Sequence, residues 1–289
     1  MFTLLTNFGL VILLSRLLGT DGYGLYTALI VVPTLVVSFF QMGIRPTTVF
    51  LIGSGREDEN NLVSAMLTIL IFTSVLGVIF SAAAYALIGT KGYTPALLAM
   101  ALTTIPMRLT TIYAGGVFLG KEEIPKANMM NWLTGLLTLL LAVAMVYFLK
   151  LGIFGAVASL LMGNTVVALL AISMLLRRFK TRLSVKNPLI LKMLGTGVVY
   201  ALSFLTIQFN YRIDVVLLKV LSVPREVGIY SLGVSVAEML WQIPLAIGVV
   251  VMSRSANATD KNKLNQSTAR LLRISLIAGI IISAAIVLF

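Results

Sequence analysis

Five ionisable side chains stand inside otherwise apolar runs of this sequence: Arg45, Arg108, Arg212, Asp214 and Glu238. A charge at mid-bilayer costs at least ~2.5–3.5 kcal/mol on insertion scales, so such residues face a bundle interior or a wet cavity and mark function. Three guanidinium groups against two carboxylates leave the set positive. Guanidinium forks grip phosphate oxygens two at a time, so the chemistry on offer is the reception of an anionic, phosphate-bearing group. A cationic ligand would be repelled. Covalent catalysis has little to work with, because the sequence contains no cysteine and no histidine. That removes thiolate and imidazole nucleophiles and nearly every zinc or haem site, so neither a metal nor a cofactor is expected. No Gly-x4-Gly-Lys-Ser/Thr loop occurs, which excludes ATP hydrolysis by that route.

Each charge has a structural reading beside the functional one. Arg45 stands about eight residues from the end of its run, ~12 Å at 1.5 Å per residue, so it either snorkels to the interface or lines a cavity. Arg108 follows Pro106 by two residues, where a kink opens the backbone towards a cavity. Arg212 and Asp214 point roughly 200° apart around a helix and cannot pair on one face. Asn210 shares a face with Asp214, and Gln208 shares one with Arg212. The pair is therefore either a clasp at a helix seam or a handle for substrate or coupling ion. Glu238 has Trp241 and Gln242 on its own face. A buried carboxylate can take up a proton near neutral pH, which suits proton coupling, and an ion pair with Arg212 or Arg108 is the alternative.

The elements that carry these residues are membrane spans. Of 289 residues 59% are apolar and 11% charged, with a mean hydropathy of +1.02. A soluble domain carries about 25% charged residues. Apolar windows long enough to cross the bilayer lie near 1–18, 24–52, 62–88, 94–119, 126–149, 152–176, 195–221, 227–250 and 270–289. The chain is expected to be an all-α polytopic membrane protein of about nine spans. Its net charge of +12 comes from basic residues in the connecting segments rather than from a nucleic-acid surface. Arg16, Lys91, Lys150, Lys219 and Arg225 fall at one set of span ends, and all remaining Lys and Arg outside the spans fall at the other. The positive-inside rule makes the richer set cytoplasmic and places the N-terminus there too.

Two motifs lose their catalytic reading in this setting. "GTDGYG" follows a membrane span rather than a strand, so a dinucleotide site fails. The carboxylates of "REDENN" (56–61) read as a solvated turn rather than a divalent-ion site.

An internal echo links the two ends of the chain. "LSRLLGTDGYGLYTAL" (14–29) and "LLKVLSVPREVGIYSLG" (217–233) each place a basic residue, a short loop and then Gly-[Leu/Ile]-Tyr-[Thr/Ser] at the opening of a span. An even number of spans separates the copies, so they share one orientation. That pattern predicts two halves related by an axis along the membrane normal, with a site between them.

"SRLLGTDGYGLYT", "FFQMGIRPTTVFLI", "LGIFGAVAS" and "NYRIDVVLLKVLSVPREVGIYS", in this order, resemble the O-antigen-type lipid-linked oligosaccharide flippases. These belong to the MOP superfamily, which also holds lipid II flippases and MATE exporters. The resemblance implies two six-helix bundles around a cavity that opens alternately to each side. It implies translocation of polyprenyl-pyrophosphate-linked oligosaccharide from the cytoplasmic to the external leaflet of a prokaryotic cell membrane, without covalent chemistry. It supports a cavity role for Arg45, while the candidate cavity roles of Arg108, Arg212 and Asp214 and the coupling role of Glu238 rest on the residues themselves. Residues 1–180 would form the first bundle and 181–289 the opening helices of a second, incomplete one, the chain being expected to be a fragment of a longer transporter. Expected partners are the lipid-linked oligosaccharide, the bilayer, a glycan polymerase and other polysaccharide-assembly proteins, with no nucleic acid. The rival readings are an ion-coupled exporter of the same superfamily, a membrane-embedded glycan enzyme and a non-transporting assembly subunit.

Overall fold

The computed structural model describes residues 2–238 and, apart from 271, 274 and 278, residues 269–280. The described residues form helices joined by short turns: α1 (Phe2–Phe40), α2 (Ile44–Ser54), α3 (Glu59–Ile88), α4 (Pro95–Gly120), α5 (Ile124–Ala142), α6 (Gly152–Arg178) and α7 (Leu189–Leu221). The last turns of α5 widen into a π-helix over Val143–Phe148. Leu5–Ser54, α3, α4, Ile124–Phe148 and α6 are each long and apolar enough to cross a membrane. The expected all-α polytopic fold is thus present, and the helices match the placed spans as far as 195–221. The later parts of 227–250 and 270–289 lie outside the described residues. Two compact units divide the chain, Met1–Tyr230 and Ser231–Phe289. In the second, 231–238 and the described part of 269–280 are helical.

Within the first unit α1 is two spans. Gly19, at φ 67° and ψ 180°, interrupts it. That backbone conformation is essentially open to glycine alone. Gly9 and Gly135 place the first arm beside α5 and running the same way, since Thr6 meets Gly135 and Leu139 meets Gly9. The second arm runs opposite to α3: the Tyr85 hydroxyl donates to the Leu29 carbonyl, while the Phe80 and Phe40 rings meet at 5.8 Å. Helix α4 returns antiparallel to α3, with Ile105 against Gly77 and the Tyr113 and Thr73 hydroxyls 3.2 Å apart. The chain therefore reverses at Gly19, as the boundary between the first two spans predicts.

Proline positions are compensated from neighbouring helices. Pro33 lacks the N–H that would bond the Leu29 carbonyl one turn back. Tyr85 of α3 donates to that same carbonyl. At the end of α1 the Phe40 carbonyl, left over by the helix terminus, accepts from the Tyr113 hydroxyl at 3.2 Å. Met42 (φ 46°) and Gly43 (φ 61°) then break the span before α2 begins. Gly43 also permits close approach to α7, since a Cβ there would lie 2.3 Å from the Gly197 carbonyl oxygen.

Polar contacts gather at one end of the unit. Glu59 pairs with Lys121 at 2.6 Å, Glu57 with Lys192 at 2.5 Å, and Glu123 with Lys126 at 2.9 Å and with Arg178. Asp58 caps α3 by accepting from the Asn61 amide at 2.9 Å. The basic connector after α6 is stitched to the start of α3, its Lys180 and Arg182 amides donating to Asn60 Oδ1 and Ser64 Oγ. The carboxylates of 56–61 thus serve as a cap and as ion-pair anchors for two other segments. At the opposite end Lys219 Nζ stands 4.6 Å from the centroid of the Tyr93 ring. Between the two ends α3 presents a row of exposed apolar side chains, Ile71, Phe72, Val75, Leu76 and Ile79, suited to lipid.

Candidate functional site

The break between α1 and α2 determines where Arg45 stands. It occupies the first turn of α2, whose N-cap Gly43 supplies no side-chain acceptor. Helix N-termini carry partial positive charge, so a cation there is electrostatically misplaced unless an anion joins it. Arg45 is half-buried, and it makes no hydrogen bond or ion pair among the described residues. Its backbone lies against α4 at Gly116, where a Cβ would sit 3.0 Å from the Arg45 carbonyl oxygen.

Arg108 is half-buried on α4, two residues after Pro106. One of its guanidinium nitrogens donates to Thr34 Oγ1 on the second arm of α1 at 3.0 Å. Thr34 in turn donates to the Ile30 carbonyl at 2.9 Å, so its lone pairs are free to face the arginine. Arg212, half-buried on α7, is near enough to repel Arg108 electrostatically. Arg108 and Arg212 thus stand on different helices, α4 and α7.

Asp214 turns elsewhere. One carboxylate oxygen accepts from its own neighbour's amide, Val215 N, at 2.7 Å, and the other accepts from the Tyr230 hydroxyl. Tyr230 belongs to the second copy of the Gly-[Leu/Ile]-Tyr-[Thr/Ser] echo, on the helical stretch after α7. Its counterpart in the first copy, Tyr26, is buried. Glu238 is half-buried on the helical 231–238 of the second unit, and Trp241 and Gln242 lie outside the described residues.

An open cavity of about 420 Å³ lies inside the first unit between α1, α4, α5 and α6. Arg108 lines it together with Asn7, Thr111, Asn131, Thr134, Thr138 and Asn164, and Leu10, Ile112 and Leu160 supply its apolar walls. No carboxylate is among the lining residues. The uncharged members carry no intramembrane charge that would single them out in the sequence. Their signal was nevertheless present: Asn131, Thr134 and Thr138 recur at i, i+3 and i+7, one face of a helix. Thr34 and Tyr230 were missed for another reason, since each is defined as a partner only by contact with another segment.

Known proteins place this arrangement in a family. The model of the family described as "Polysaccharide biosynthesis protein" matches residues 1–256. Among solved structures, an inward-facing multidrug resistance MATE family transporter of the MOP superfamily superposes with a TM-score of 0.64. It is 17% identical, over 100% of this chain and 69% of that one. A MATE structure in the bent conformation gives a TM-score of 0.52 at 18% identity, over 100% of this chain and 68% of that one. These likenesses show the fold alone. A search of curated proteins found no match. The helical architecture and the match over most of the chain establish that it belongs to the polysaccharide biosynthesis protein family, with the polytopic membrane fold of MOP superfamily transporters.

Proposed function

We propose that the chain is a flippase that carries polyprenyl-pyrophosphate-linked oligosaccharide from the cytoplasmic to the external leaflet of a prokaryotic membrane by alternating access. The observation that carries this reading is Arg45, half-buried at the N-terminus of α2 and without an ion pair among the described residues. A half-buried cation at the positive end of a helix inside a membrane-spanning fold requires a counter-anion, and a pyrophosphate matches guanidinium geometry. Arg108, bordering a cavity with no carboxylate among its lining residues, supports the same reading. A cationic drug would meet repulsion at both, which disfavours export of cations despite the MATE-like fold. No covalent step is assigned to the chain.

In this reading the basic end, with Lys121, Lys126, Arg178 and Lys192, faces the cytoplasm, as does the N-terminus. Residues 1–180 act as one bundle and 181–289 belong to a second, with Arg212 and Asp214 at the seam and Glu238 as the proton-coupling group. A glycan polymerase and other assembly proteins would take the cargo onward.

The test is restoration of surface glycan in a strain lacking its own flippase. Wild type is compared with Arg45→Ala, Arg108→Ala and Arg212→Ala at matched membrane levels. Loss of transport in well-inserted variants is expected. Normal transport by all three would make the arginines structural and end the proposed mechanism.

A further inference from the structure

The cavity inside the first unit has a hydrogen-bonding character that the charged residues do not explain. The Asn164 amide nitrogen donates to the Leu160 carbonyl at 2.7 Å, which leaves its carbonyl oxygen as the group it can present. The Thr111 and Thr134 hydroxyls donate to the Met107 and Met130 carbonyls at 3.1 and 2.7 Å, so both present lone pairs. Donors come from Arg108 and from the side-chain amides of Asn7 and Asn131, which make no hydrogen bonds among the described residues. Thr138 is 2% exposed, and its hydroxyl finds no partner among the described residues although it borders the cavity.

This mixture selects among ligand classes. A bare oxyanion only accepts, and it would meet three acceptor oxygens. A cation would meet the Arg108 guanidinium. A neutral hydroxyl both donates and accepts, and so satisfies either kind of wall. The apolar sides formed by Leu10, Ile112 and Leu160 suit the C–H faces of a ring. A volume of about 420 Å³ lies within the roughly 300–1,000 Å³ of small-molecule sites.

We infer that this cavity is a carbohydrate pocket that takes a sugar ring of the cargo. The pyrophosphate stays with the arginines, and Arg108 borders both. The inference rests on the flippase reading and adds to it a second place of contact, specific for the glycan.

The sequence lacks cysteine, so a single introduced thiol is read without background. Asn131→Cys and, separately, Thr134→Cys would be made in the full chain, reconstituted in nanodiscs and treated with a small methanethiosulfonate reagent. Labelling rates would be compared without ligand, with polyprenyl pyrophosphate bearing no sugar, and with lipid-linked oligosaccharide extracted from the source cell. Binding of radiolabelled polyprenyl pyrophosphate to the same samples is measured in parallel. The expected result is labelling slowed ~tenfold by the glycan-bearing lipid at ten times its Kd, as simple occupancy predicts, and unchanged by the carrier alone. Equal protection by both lipids would place pyrophosphate in the cavity and overturn the carbohydrate assignment. Carrier binding without protection by either lipid would remove the pocket and leave the flippase reading intact. Absence of both binding and protection would remove both.

Discussion

Gly24 and Gly228 meet backbone to backbone in a reciprocal contact. A Cβ on Gly24 would lie 1.8 Å from the Pro224 carbonyl oxygen, and one on Gly228 would lie 2.0 Å from the Thr20 carbonyl oxygen. Each glycine therefore touches the carbonyl four residues before the other. The two are also the equivalent glycines of the "GLYT" and "GIYS" echo, so the repeat detected in the sequence brings its own copies together. Close approach of small residues is how membrane helices gain packing where lipid is as apolar as protein.

Alanine at either position must push two helix backbones apart. Gly24→Ala and Gly228→Ala are each expected to destabilise by ~1–3 kcal/mol, the usual range for overpacking. Because the contact is reciprocal, the two losses should be similar. Gly115→Ala is the control, since nothing lies within 4 Å of a Cβ there. Thermal unfolding of the purified variants decides, and an unchanged midpoint for both glycine variants would refute the contact.

The Tyr85 hydroxyl and Pro33 should show strong coupling. Tyr85→Phe strands the Leu29 carbonyl and is expected to cost about 1–3 kcal/mol, the penalty for an unsatisfied buried group. Pro33→Ala restores the amide that bonds the same carbonyl within its own helix. In the double variant the Tyr85→Phe penalty should largely vanish, which a double-mutant cycle on denaturation free energies measures. Strict additivity would show that the hydroxyl is not compensating the proline.

Glu123 gives the basic end a pH dependence. The Arg178 guanidinium, followed by Lys126, donates hydrogen bonds to its carboxylate and holds its pKa below the usual carboxylate range. A depressed folded-state pKa means that the stabilisation is present above the unfolded value and is lost as pH falls through the folded one. Glu123→Gln should therefore lower the unfolding midpoint at neutral pH and match wild type in acid below that pKa. The difference should shrink in high salt, because the pairs are partly exposed. A gap that persists in acid would assign Glu123 a role other than charge pairing.

Asp214 and Tyr230 bind the end of α7 to the helix that follows it. Tyr230→Phe removes the donor and is expected to cost ~1.5–3 kcal/mol, as for hydrogen bonds to charged groups. Asp214→Asn retains an acceptor oxygen and should cost less. Unfolding midpoints in nanodiscs compare the two, and the reverse order would point to the charge rather than the hydrogen bond as the useful feature.

The sequence by itself determined the membrane class, the positions of the spans as far as α7, their alternating direction and the echo around Gly24 and Gly228. Bilayer thickness, span length and the rarity of intramembrane charge constrain those features locally, so composition and periodicity suffice to read them. Arg45, Arg108, Arg212 and Asp214 were legible as unusual for the same reason. Only the tertiary structure decided what each of them meets: Thr34 for Arg108, Tyr230 for Asp214, and for Arg45 the break at Gly43 that makes it the first turn of a new helix. Contacts between α1 and α4, or α1 and α7, join residues dozens of positions apart. No helical period links them, because their proximity depends on how rigid helices pack around glycines such as Gly43, Gly116 and Gly197.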